Sequence, residues 1–121
     1  MSKHTPGPWN VEYLDGNGQA VVKASFIEIA TCWHHSVTSI EKEMHANARL
    51  IAAAPELLEA LELVISNAES AVFEDWLARV CPSGDASAVQ YDWLHSSDYS
   101  DFCVDWKEAH AAIDKATGEK C

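Results

Sequence analysis

His45–Leu61, HANARLIAAAPELLEAL, holds two amphipathic helical pieces that meet at a proline. Met44, Ala48, Leu50 and Ile51 recur at short helical spacings and are expected on one face. Ala46, Ala48, Ala52, Ala53 and Ala54 lose little side-chain entropy in a helix. Pro55 has no amide hydrogen, and its ring crowds the preceding turn of any continuing helix. At the first turn of a new helix the same residue is favourable, and it biases Ala54 towards extended geometry. One helix is therefore expected to end near Ala53 and a second to start near Pro55. Glu56 and Glu59 then lie near the positive end of the second helix. Leu57, Leu58, Leu61, Val64, Ile65, Ala68, Val72, Phe73 and Trp76 extend an apolar stripe, so that helix runs to about Cys81.

Upstream of this joint the pattern changes period. Pro6-Gly7-Pro8 turns an extended lead-in towards a sheet. Trp9–Leu14 alternates, with Trp9, Val11 and Tyr13 on one side and Asn10 and Glu12 on the other, as in a half-buried strand. Asp15-Gly16-Asn17-Gly18 is a strong hairpin signal. Ala20–Ala24 returns as a second strand. Phe26–Cys32 forms a third, with Ile27, Ile29 and Thr31 opposite Phe26, Glu28 and Ala30. Ser39 is the expected N-cap of the first helix.

Downstream, Pro82–Ala88 has loop composition and Val89–Tyr99 holds a short helical turn at most, because Ser96-Ser97-Asp98 breaks the pattern. A last helix is expected from a cap at Ser100, with Phe102, Trp106, Ala109, Ile113 and Ala116 on its apolar face. Lys115 complements its negative end and Gly118 terminates it. It should pack antiparallel on the Leu57–Trp76 stripe. The fold class is α+β: an N-terminal three-stranded antiparallel meander, then a hairpin of long C-terminal helices. A single domain over residues 1–121 is expected, with lead-in and meander in 1–36 and the helical part in 40–118, interrupted by a loop at 82–99.

With 121 residues, a core can form without disulfides. Hydrophobic residues make up 48%, which excludes disorder for most of the chain. No apolar run spans a bilayer, and MSKHTPGPW lacks a signal-peptide core, so no membrane role and a cytoplasmic location are expected. Cys32, Cys81, Cys103 and Cys121 form no CxxC pair and are expected as reduced thiols, with Cys32 and Cys103 buried. Nineteen acids against eight bases give a net charge of −11, which argues against direct nucleic-acid binding. The acidic surface serves solubility, or else it docks on a basic partner as a nucleic-acid mimic or inhibitor would.

Three segments, HTPGPW at His4–Trp9, ANARLIAAAPELLEAL at Ala46–Leu61 and AAIDKATGE at Ala111–Glu119, resemble short proteins of tailed bacteriophages and prophages, and in pattern the Ea22-like phage family. Residues 70–99 lie outside the resemblance. It implies a phage accessory protein in the bacterial host cytoplasm. Small phage proteins of this kind include anti-defence sponges, homo-oligomers without catalytic groups that sequester a nucleotide immune signal. At least one is similar in layout, with a sheet before its helices, a likeness at the level of fold alone.

No nucleophile-and-base pair is legible; Ser96 and Ser97 beside His95 are adjacent in sequence only. No glycine-rich phosphate loop is present, and no enzyme activity or cofactor is expected. Cys32, His34, His35 and His45 have metal-ligand chemistry but lack paired spacing, so no metal is expected. Arg49 can clamp a phosphate through two parallel hydrogen bonds, or pair with a nearby acid, and Arg79 has the same two readings. Trp9, Trp76 and Trp106 fall on core faces. Trp33, Tyr91, Trp93 and Tyr99 fall in connections, where aromatics can stack a base or join a contact. A ligand pocket would be built from Arg49, Trp33, His34, Trp93 and Tyr91. The leading expectation is sequestration of a cyclic dinucleotide or cyclic ADP-ribose signal by a homo-oligomer; the alternative is an acidic module acting on a basic host protein.

Overall fold

The computed structural model describes residues 3–14, 18–33 and 38–119. Strands β1 (Asn10–Leu14), β2 (Gln19–Ala24) and β3 (Ile27–Trp33) form one antiparallel sheet in the order β1-β2-β3. Among the described residues five helices follow: α1 (Thr38–Ala52), α2 (Ala54–Val80), α3 (Ala86–Leu94), α4 (Ser97–Asp105) and α5 (Lys107–Thr117). The α+β class and the meander are as the sequence predicts. The Asp15–Asn17 part of the first hairpin signal lies outside the described residues. Contacts divide the chain into two compact units, Met1–Glu59 and Ala60–Cys121, with the division inside α2.

In the first unit α1 lies across one face of the sheet. Ala20 and Val22 of β2 meet Met44 and Ala48 of α1, all buried. Alanine on both elements lets helix and strand backbones approach closely. Trp9, Val11, Ile29, Ala30, Cys32, Ile51 and Ala52 pack around this centre. Tyr13 meets the His45 ring edge-on at 4.6 Å. Leu50 is exposed, because it precedes Ile51 by one residue and so points about 100° away. The helix also starts one residue before the expected cap Ser39.

The faces of β3 differ from strict alternation. Val22 pairs with Ala30 but Lys23 pairs with Glu28, so Ile29 is an extra residue on β3. A bulge of this kind shifts the side-chain phase. Ile29, Ala30 and Cys32 therefore all line the core, while Ile27 is exposed and Thr31 hydrogen-bonds Glu28. The turn from β2 to β3 is the two residues Ser25-Phe26, with Ser25 at φ 57° and Phe26 largely exposed.

The proline joint appears where the sequence places it. Ala53 separates the helices: its amide donates to the Arg49 carbonyl at 3.0 Å, and its carbonyl accepts from Leu57 at 2.9 Å. Pro55 is buried in the first turn of α2. The HTPGPW segment packs there. Trp9 Nε1 donates to the Thr5 carbonyl at 3.1 Å, and the His4 ring stands edge-on to Trp9. A Cβ placed on Gly7 would stand 3.2 Å from Pro55 Cβ, tighter than ordinary contact.

Along α2, Ile65 and Trp76 are buried, but Leu57 and Val64 are exposed, so the buried stripe is narrower than the apolar one. The helix ends at Val80; Cys81 takes a left-handed φ of 49° and Pro82 follows. The largest departure is C-terminal. Residues 86–105 form two helices where the sequence suggests a loop and a turn. Ser100 lies inside α4 rather than capping it, and the expected last helix is divided at Trp106. Gly118 does terminate α5, at φ 74°.

Gly7→Val is expected to lower stability by about 1–3 kcal/mol by overpacking against Pro55. Thermal and urea unfolding of the full chain measure this; unchanged stability would remove the segment from the joint.

Candidate functional site

The second unit is assembled around aromatic rings. Trp93, 2% exposed, stands 5.1 Å from Phe73, 5.5 Å from Trp76 and 5.4 Å from Tyr99, ring centre to ring centre. It thereby joins α2, α3 and α4. Two short polar signals position α3 and α4. Asp85 caps α3 by accepting from the Ala88 amide at 2.9 Å. Ser96 caps α4 by accepting from the Tyr99 amide at 3.1 Å, while its own hydroxyl donates to the Trp93 carbonyl at 2.6 Å. Asp98 lies in the first turn of α4, where an acid is favourable. The Ser96-Ser97-Asp98 run is thus a helix start and not the break in the pattern that its composition suggests.

Arg79 links these elements. Its guanidinium bonds Asp75 at 2.8 Å, one helical turn earlier, and also Asp98 of α4. Asp75 first, and then Asp98, hold its pKa above the ordinary arginine value. Arg79 is therefore a clamp between helices, the ion-pair reading of the sequence, and its charge is already matched.

The other expected site residues fall as follows. Trp33, 63% exposed at the end of β3, and Arg49, exposed on α1, belong to the first unit. Arg49 makes no ion pair or hydrogen bond from its side chain among the described residues. His34, like His35, lies outside the described residues. Tyr91 and Trp93 belong to the second unit. Tyr91 is exposed and stacks on His95, with ring centres 4.0 Å apart. The His95 ring is fixed by Nδ1 donating to the Tyr91 carbonyl at 2.8 Å. Trp93 serves the core, and its edge reaches a small cleft of about 140 Å³ with Glu69, Ser70, Phe73 and Gln90.

A larger cleft, about 360 Å³, was not legible in the sequence. Tyr99, Cys103, Lys107, His110, Ala111 and Asp114 line it, along α4 and α5. Their spacing of three and four marks one helical face, beside the apolar face that carries Phe102, Trp106 and Ile113. Cys32, Cys81 and Cys103 are free, with Cys32 and Cys103 half-buried. Among the described residues no three His, Cys, Asp or Glu side chains group as metal ligands. No described helix is long and apolar enough to cross a membrane.

A family model described as Salmonella phage P22 protein Y8K6 matches residues 1–120. The chain belongs to this phage protein family. The match runs through the aromatic unit as well as the HTPGPW and HANARLIAAAPELLEAL segments, so the P22 Y8K6 family includes the stretch from residue 70 to residue 99 that the earlier resemblance left out. Comparison with curated proteins and with solved structures gives no match.

Trp93→Ala is expected to lower stability by about 3–5 kcal/mol, the cost of emptying a buried aromatic site. Urea unfolding followed by tryptophan fluorescence checks it. A loss below about 1 kcal/mol would mean that the ring is not the centre of this unit's core.

Proposed function

We propose that this phage protein acts by binding rather than by catalysis, and that its target is a basic host protein. The observation that carries this reading is the surface of α2. The helix bears Glu56, Glu59, Glu62, Glu69, Glu74 and Asp75 against one base, Arg79, which is already paired. The same helix exposes Leu57, Leu63 and Val64. Carboxylates interspersed with exposed aliphatic side chains offer a basic partner both steering and apolar burial. Two copies of such a helix would repel each other. Full-length tagged protein is expected to capture a basic host protein from lysate, with yield falling steeply as salt rises. Leu63→Ser and Val64→Ser should weaken capture without changing the melting temperature. A complex insensitive to salt, or equal capture by both variants, would sink the proposal.

A second reading is favoured by Arg49, an exposed guanidinium that nothing among the described residues neutralises. In this reading the chain is an anti-defence sponge of the host cytoplasm. It would work as a homo-oligomer that sequesters a cyclic dinucleotide or cyclic ADP-ribose isomer without altering it. Arg49 would supply the phosphate clamp and the exposed Trp33 a stacking ring. Calorimetric titration against those nucleotides at physiological salt is expected to show saturable binding, with the ligand recovered intact. Arg49→Glu should abolish that binding while the fold persists; retained affinity in the variant would remove Arg49 from the site.

A further inference from the structure

The small cleft between α2 and α3 joins two aromatic rings to three polar side chains. Glu69 and Phe73 lie one turn apart on α2, with Ser70 beside them, and Gln90 and Trp93 lie one turn apart on α3. The Phe73 and Trp93 rings meet at 67°, with centres 5.1 Å apart, and so form two walls of a corner. Stacking on Trp76, at 5.9 Å between centres, holds Phe73 in place. Glu69 is half-buried, while Ser70 and Gln90 are exposed. None of these three side chains has a hydrogen bond or ion pair among the described residues. Neither helix offers Glu69 a base: α3 carries none, and Arg79 of α2 is bound to Asp75 and Asp98. The cleft volume is about 140 Å³. Small-molecule sites begin at roughly 300 Å³, whereas a cavity of roughly 150 Å³ holds one benzene. The space therefore suits a single side chain and not a nucleotide.

We propose that this cleft receives one lysine side chain of the basic partner, an inference that rests on the protein-binding reading above. The methylene stem lies against Phe73 and the edge of Trp93, where it leaves water while the charged head stays near the mouth. The ammonium meets the Glu69 carboxylate, with the side-chain carbonyl of Gln90 and the hydroxyl of Ser70 beside it. An ammonium has three N–H donors and no acceptor, and three polar side chains able to accept line this cleft. A half-buried carboxylate is screened by salt less than one on the open surface, so Glu69 is better placed than the exposed acids of α2 to hold such a cation. Arginine fits less well, because its planar fork is wider than an unbranched chain and needs a broader opening. A phosphate is repelled by the same carboxylate, which separates this cleft from any nucleotide site.

NMR titration of the full chain with n-butylammonium, at constant ionic strength, tests the cleft without any host protein. Saturable shifts are expected at the amides of Ser70, Phe73 and Gln90 and at the Trp93 indole, with no matching response to neutral 1-butanol. Glu69→Gln keeps the shape and removes the charge, and it should weaken binding at least about fivefold, as expected when a charged hydrogen bond is lost from a half-buried site. Glu108→Gln removes the same charge from the exposed surface of α5 and should leave the affinity unchanged. Glu69→Gln should also lower capture of the host protein from lysate, at an unchanged melting temperature. Absence of saturable shifts at about 100 mM probe, an equal response to 1-butanol, or equal losses in the two variants would each overturn the proposal. Tighter binding of n-propylguanidinium would overturn the choice of lysine and give the cleft to arginine. Salt-sensitive capture that is equal for the natural chain and Glu69→Gln would overturn the cleft's role and leave the protein-binding reading standing. Probe binding with no host protein captured would overturn the partner and make a free alkylamine the ligand.

Discussion

Pro55 has no amide to give the turn before it, and it is buried. That one constraint ends α1 at Ala52 and frees α2 to start afresh at Ala54. α1 then lies against the sheet, with Met44 and Ala48 on Ala20 and Val22. A sheet this small is marginal alone, and α1 supplies the apolar face that β2 requires. The HTPGPW segment meets the same proline from the other end of the unit, through Gly7. Two segments far apart in sequence thus serve one packing contact. Their shared presence is explained by structure before any ligand is invoked.

Charge sets the second constraint. A chain of net charge −11 must either expose its acids to water or pair them with its few bases. Arg79 is used for pairing: it holds Asp75 and Asp98 together and so joins α2 to α4. Arg49 and Lys107 are exposed on α1 and α5. No base on α2 is left for the other acids of that helix. Arg79 and Arg49 are chemically alike, and they differ in which carboxylates the fold brings near them.

The meander, the proline joint and the glycine terminator of α5 were all legible, because each depends on neighbours within a few residues. Alternation, a missing amide and a positive φ act locally. The faces of β3 were not legible, since the bulge at Ile29 is a property of pairing with β2. The helices over residues 86–105 are not legible for a different reason. Asp85 and Ser96 carry ordinary cap chemistry, but loop-forming residues beside them have the same composition. Of the expected ligand residues, Trp93 is committed to a core of Phe73, Trp76 and Tyr99 that no local pattern reveals.

By itself, the sequence determined the α+β class, the order of elements through α2 and the acidic surface. These follow from periodicity, special backbone residues and net composition, which need no tertiary contacts; the phage kinship rests on the resemblance of three segments and on the family match. Only the tertiary structure decided which arginine is a clamp, which tryptophan is core, and that the last helix divides at Trp106. Those outcomes depend on distances between groups remote in the chain, or on one residue leaving helical geometry. Burial and pairing energies act on such distances and angles, and a linear pattern does not contain them.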